Sequence, residues 1–173
     1  MVRSCQVIAV ERSILMFTFN MDRLCFLALF ALVSLSPASA ISVKFKDCGS
    51  VESTVEEIDI SPCTEQPCVL HKGTNATVQV KFKTKVGITK ATSVVHGIIE
   101  RVSVPFPVPI PDACEDQGLA CPLEANQEYT FHTTLSVKAL YPSIELIVKW
   151  EVQDGGRGDV DVFCWEVPLR ISG

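Results

Sequence analysis

The residues of this chain that could do chemistry are eight cysteines, three histidines (His71, His96 and His132) and one Asn75-Ala76-Thr77 triplet. Cysteine can close disulfides, hold zinc or attack as a nucleophile, and spacing separates these uses. No cysteine or histidine pair has zinc-finger spacing, so no metal site is expected. No serine, cysteine or carboxylate stands in a nucleophile or metalloenzyme signature, and the histidines lie far apart in sequence. His96 sits in an apolar run beside Gly97, where a lone histidine is more often structural than catalytic. The expectation is a protein that is not an enzyme and needs no cofactor. Asn75-Ala76-Thr77 is the one N-glycosylation sequon.

Disulfides are the use that remains. Leu24 to Leu35 (LCFLALFALVSL) is an apolar run preceded by Arg23 and followed by SPASA. Small residues at Ala38 and Ala40 predict a secretory signal peptide cut after Ala40. The run is shorter than the ~20 residues a spanning helix needs. Met21-Asp22-Arg23 resembles an ordinary signal start, so residues 1–20 read as an extension ahead of it. Cys5 and Cys25 leave with this segment. The lumenal chain is Ile41 to Gly173, with Cys48, Cys63, Cys68, Cys114, Cys121 and Cys164. An even count in a secreted domain implies a disulfide framework. Cys63–Cys68 and Cys114–Cys121 can each close a short loop beside proline turns (Pro62, Pro67, Pro122), which leaves Cys48 for Cys164.

The whole chain has 15 basic and 20 acidic residues, of which three (Arg3, Arg12, Arg23) and two (Glu11, Asp22) precede Ile41. That leaves 12 basic against 18 acidic residues, a formal charge of −6. Such an acidic domain is a poor nucleic-acid binder.

Strands must position these residues. Ile41-Val43-Phe45, Val78-Val80-Phe82 and Tyr129-Phe131-Thr133-Leu135-Val137 alternate with their neighbours, and Ile144-Leu146-Val148-Trp150-Val152 is the cleanest such stripe. Turn signals at Lys72-Gly73-Thr74-Asn75, Ala125-Asn126-Gln127, Tyr141-Pro142-Ser143 and Asp154-Gly155-Gly156 separate them. No convincing helical stripe appears. About seven short strands predict a single all-β domain over residues 41–173, an immunoglobulin-like β-sandwich.

Residues 104–111, VPFPVPIP, fit that scheme only at an edge. N–H groups of residues i and i+2 point to the same side of a strand, so Pro105, Pro107, Pro109 and Pro111 delete donors along one side alone. Val104, Phe106, Val108 and Ile110 then share a face. Ordinary core packing, a ligand wall between sheets and a polyproline ligand all remain open on pattern alone.

The segments FKDCGSV (45–51), SPCTEQPC (61–68), VVHGI (94–98), VPFPVPIPD (104–112), YPSIEL (141–146) and FCWEVP (163–168) closely resemble the secreted, lysosomal sterol carriers of the MD-2-related lipid-recognition family. The resemblance runs collinearly from about Phe45 to Pro168. It implies a sandwich whose sheets splay to hold a sterol, with disulfides Cys48–Cys164, Cys63–Cys68 and Cys114–Cys121. It places the sterol pocket on Val104, Phe106, Val137, Tyr141, Pro142 and Trp150. It makes the loop at His96, Gly97 and Ile98 a surface for membranes and for the Niemann–Pick type C1 transporter. Two departures stand out. The Cys114–Cys121 loop holds six residues where five are expected, which bears on acidic Glu115 and Asp116. Asp59 and Gln79 stand where the family often carries glycosylated asparagines, so mannose-6-phosphate sorting to the lysosome would rest on Asn75.

Lys81, Lys83 and Lys85 share a strand face. That face is either simply solvated or a contact for anionic endosomal membranes, extended by Lys44, Lys46 and Lys72. Arg157-Gly158-Asp159 could bind integrins, but glycine-rich hairpin chemistry explains the same residues without a partner. The reading is a monomeric, secreted sterol-binding and cholesterol-transfer protein of the lysosome and late endosome. The alternative is an extracellular lipid-sensing adaptor that presents its lipid to a receptor.

Overall fold

The computed structural model describes residues 41–173. The expected signal segment, its N-terminal extension, Cys5 and Cys25 lie outside the described residues. Ten strands run in chain order: β1 (Ile41–Ser42), β2 (Lys46–Asp47), β3 (Ser53–Ser61), β4 (Cys68–His71), β5 (Asn75–Thr84), β6 (Ala91–Ile99), β7 (Val102–Phe106), β8 (Glu128–Ser136), β9 (Ile144–Asp154) and β10 (Val160–Ser172). Strict alternation makes the long ones. β5, NATVQVKFKT, exposes and buries successive residues from end to end, as a strand with one face on a core must.

One sheet has the order β1-β3-β5-β8, and the second the order β2-β10-β9-β6-β7, with β4 also along β10. All pairings are antiparallel except β4 with β10. This is the expected β-sandwich. Seven strands have five residues or more, and three short ones join them. The three predicted disulfides are formed. Cys48–Cys164 spans a sequence separation of 116, whereas Cys63–Cys68 and Cys114–Cys121 close short loops.

The proline run is an edge, but a shorter one than its alternation suggests. β7 ends at Phe106, so Pro105 alone of the four lies in a strand, paired with His96. The chain then leaves the sheet through Pro107 and Pro109. It returns where the Pro111 carbonyl accepts the Ser93 N–H at 2.7 Å, a bond that needs nothing from the proline nitrogen. Val104 and Phe106 keep the expected common face, opposite Gly97 and Val95 of β6, while Val108 and Ile110 lie beyond the strand. Phe106 and Val108 reach the core, whereas Val104 and Ile110 are exposed.

Aromatic side chains fill one half of the interior. Phe163 packs on Phe82 and Phe131, with centroids 5.0 and 5.8 Å away, and Phe131 meets Trp150 edge-on. Trp150 stacks on Trp165 at 5.8 Å and 18°. All five are buried.

Candidate functional site

Beyond the stacked tryptophans the inward residues become small. Along β5 the buried series runs Phe82, Val80, Val78, Ala76; along β9 the inward series runs from buried Trp150 to half-buried Val148 and Leu146; along β6, Val95 is followed by Gly97. Opposed small residues cannot meet across the gap between the sheets, and a cavity of about 80 Å³ remains. Ile60, Ala76, Val78, Leu135 and Val137 line it from one sheet. Leu70, Val95, Gly97, Phe106, Leu146, Val148, Trp165, Leu169 and Ile171 line it from the other, with Trp150 at the inner end. Phe106 and Tyr141 are half-buried and meet edge-on at the mouth, centroids 5.8 Å apart.

The lining has no carboxylate, lysine or free thiol. His96 and Ser136 also border the cavity, but their side chains are engaged elsewhere. His96 Nδ1 lies 3.5 Å from Glu151 Oε2, and the Ser136 hydroxyl donates to Asn75 Oδ1 at 2.9 Å. Such a space can hold an apolar body by exclusion of water.

Four residues expected to bind sterol, Phe106, Val137, Tyr141 and Trp150, come together around the cavity. Val104 and Pro142 stand on the exposed rim instead. With Val102 at 61% exposure, Val104 at 45% and Leu140 at 93%, the rim is conspicuously apolar. Within His96-Gly97-Ile98, strand alternation sends Gly97 inward to the cavity and turns His96 and Ile98 to the outer face. Pattern reading missed Ala76, Leu146 and Val148 as lining residues although it had the β9 stripe; their inward direction was legible, the hollow was not.

Lys81 and Lys83 lie on the exposed outer face of β5, at the filled end of the sandwich, and Lys85 follows just past the end of the strand. The strand rise of about 3.3 Å per residue puts Lys83 roughly 20 Å from Ala76 at the cavity. Lys81 is 3.5 Å from Glu57, Lys85 donates to the Ser50 and Val51 carbonyls, and Lys83 pairs in register with Glu128. Lys46 is bound to Glu166 on the other sheet. Asn75 opens β5 on the exposed outer face near the cavity, and Asp59 and Gln79 sit side by side on that face.

Arg157 of the Arg-Gly-Asp hairpin turns back onto Glu52 Oε1 at 3.4 Å and Asp154 Oδ2 at 3.7 Å. Both carboxylates are buried. Burial and then the Asp154 charge push the Glu52 carboxyl above its usual range, against the pull of Arg157. Burial and Glu151 likewise raise Asp161.

Residues 42–171 match the ML domain family model. The chain is 41% identical over 144 residues to NPC intracellular cholesterol transporter 2 of Mus musculus, covering 83% of this chain and 93% of that protein. The protein of the same name from Danio rerio is 45% identical over 129 residues, covering 75% of this chain and 85% of its own. The Niemann-Pick type C2 protein of the Japanese carpenter ant superposes with a TM-score of 0.71 at 29% identity, over 75% of this chain and 100% of that one.

Proposed function

This chain belongs to the ML domain family, and on that premise we propose that it binds sterol between its sheets and carries unesterified cholesterol to membranes. The observation that carries the reading is the cavity: aliphatic walls, a tryptophan floor and an aromatic mouth, with no carboxylate or lysine in its lining. Full burial of a sterol is worth about −8 kcal/mol, at about −0.3 kcal/mol over some 28 heavy atoms, near micromolar or tighter. Pockets for ligands of this size run to about 300–1,000 Å³. The 80 Å³ space must therefore widen on entry, and its mouth pair must part.

The membrane is met at the mouth. Val102, Val104 and Leu140 present exposed apolar side chains, with Arg101 and Lys138 beside them, so apolar insertion and attraction to anionic lipid coincide. The outer face at His96 and Ile98 is left for a membrane transporter of the Niemann–Pick type C1 kind. Three disulfides suit a secreted or lysosomal lumenal protein, with Asn75 as its glycan site.

Titration of the purified protein with a fluorescent sterol tests the reading. One saturable site competed by cholesterol is expected. Absence of saturable binding would overturn it.

A further inference from the structure

Among the described strands a single glycine, Gly97 in β6, lies inside a strand. Its φ is outside the left-handed region, so the backbone there would accept any residue. A glycine inside a strand weakens it, and commonly marks a place where something approaches the backbone closely. Its neighbours on the inner face are Val104 on one side and Val148 on the other, ordinary partners that ask for no such space. A Cβ placed on Gly97 would meet Leu146 Cδ1 at 3.0 Å and no other atom within 4 Å. Both residues line the cavity. Packing alone leaves a notch in the wall, closed on one side by the end of a flexible leucine.

We propose that Gly97 determines ligand shape: its notch receives the rigid, methyl-bearing face of a fused-ring lipid, and Leu146 forms the movable side of that notch. The inference rests on the sterol reading above. A fused ring system cannot bend around an added methyl group, so the missing side chain at position 97 sets how much ring bulk the wall accepts. The chain has no second empty position here, because Val95 and Val148 flank it.

The test uses the full-length secreted protein with cholesterol and with lanosterol, whose ring carries extra methyl groups. Gly97→Ala is expected to weaken cholesterol binding by about 10- to 200-fold, the usual effect of one surplus methyl group in an apolar pocket. Adding Leu146→Ala to Gly97→Ala should restore most of that loss. Leu146→Ala alone, which leaves the backbone of β6 untouched, should raise the lanosterol-to-cholesterol affinity ratio. Parent-like cholesterol binding by Gly97→Ala, no rescue in the double variant, or an unchanged ratio in Leu146→Ala would each overturn the inference. If the parent protein itself fails to bind cholesterol, the sterol reading falls first, and that result is distinct from all three.

Discussion

Phe106 and Tyr141 touch edge to face at 66°, one from the edge strand of the six-stranded sheet and the other from the segment that follows β8 of the opposing sheet. The contact joins the two layers where their interior is emptiest. Such a pair is worth about 0.5–1.5 kcal/mol beyond its buried area, little enough for an entering ligand to replace.

Phe106→Ala should therefore weaken sterol binding at least about tenfold, which corresponds to about 1.4 kcal/mol, while the melting temperature of sterol-free protein falls only slightly. Phe131→Ala should do the reverse. Its ring is fully buried against Trp150 and Phe163, and removal should cost about 3–5 kcal/mol of stability. Thermal melts and fluorescent-sterol titration of both variants separate the cases; equal effects of the two would contradict the division of the interior.

Acidification should stabilise the fold. Glu52, Asp161 and Asp59 all have carboxyls raised by burial first, and then by a neighbouring carboxylate. A group raised in the folded state gives stability that is complete below its unfolded value, and loses it as pH rises through the folded one. Asp47 opposes this: burial raises it, but hydrogen bonds from Ser50 and Gly49 leave it lowered overall, so its contribution is lost only in strong acid. Melting temperature should rise as pH falls through the raised values of these carboxyls toward their ordinary range, and Glu52→Gln should flatten the rise. A steady fall across that range would contradict the assignment.

Cys48–Cys164 should dominate the disulfide contribution, because it closes a separation of 116 residues. The chain-entropy model gives about 4.7 kcal/mol for a loop near that size. Cys48→Ser with Cys164→Ser should lower stability far more than removal of Cys63–Cys68, as read by denaturant midpoints. Non-reducing peptide maps should recover all three links.

Vesicle transfer should depend on the rim rather than on the lysine row. Val104→Ser with Leu140→Ser should slow sterol transfer to anionic vesicles without changing affinity, since neither side chain lines the cavity. Replacing Lys81, Lys83 and Lys85 by alanine should leave the rate near that of the parent, because all three stand at the filled end, with Lys81 beside Glu57 and Lys85 on the Ser50 and Val51 carbonyls. A rate loss confined to the lysine variant would move docking to the outer face of β5.

Strand faces were legible because alternation is a local property: the β9 stripe predicts its inward side chains, and donor loss predicts the β7 edge. The end of β7 at Phe106 was not, since it depends on the Ser93 bond to Pro111 made elsewhere. β1, β2 and β4 carry too few residues to show a period. The cavity escaped pattern reading for a different reason. Emptiness is a relation between residues on opposite sheets, and Ala76 or Val148 looks the same in a filled core as in a hollow one. Lys81 and Lys83 share a face as alternation predicts, but Lys85 falls past the end of β5, and the contacts of Lys81 and Lys85 come from β3 and from the loop before it.

The decrease in side-chain size from Phe82 to Ala76 and from Trp150 to Leu146 makes the cargo a detachable part of the hydrophobic core. Whatever occupies the hollow completes the interior, so loaded and empty molecules differ in how often they open. At a ligand concentration of 100 times Kd the difference is about 2.7 kcal/mol, roughly a hundredfold in the open population on which proteases act. In a degradative lumen, the carrier's lifetime would then report its load: empty molecules would be cleared first, and the surviving pool would be enriched in those holding sterol.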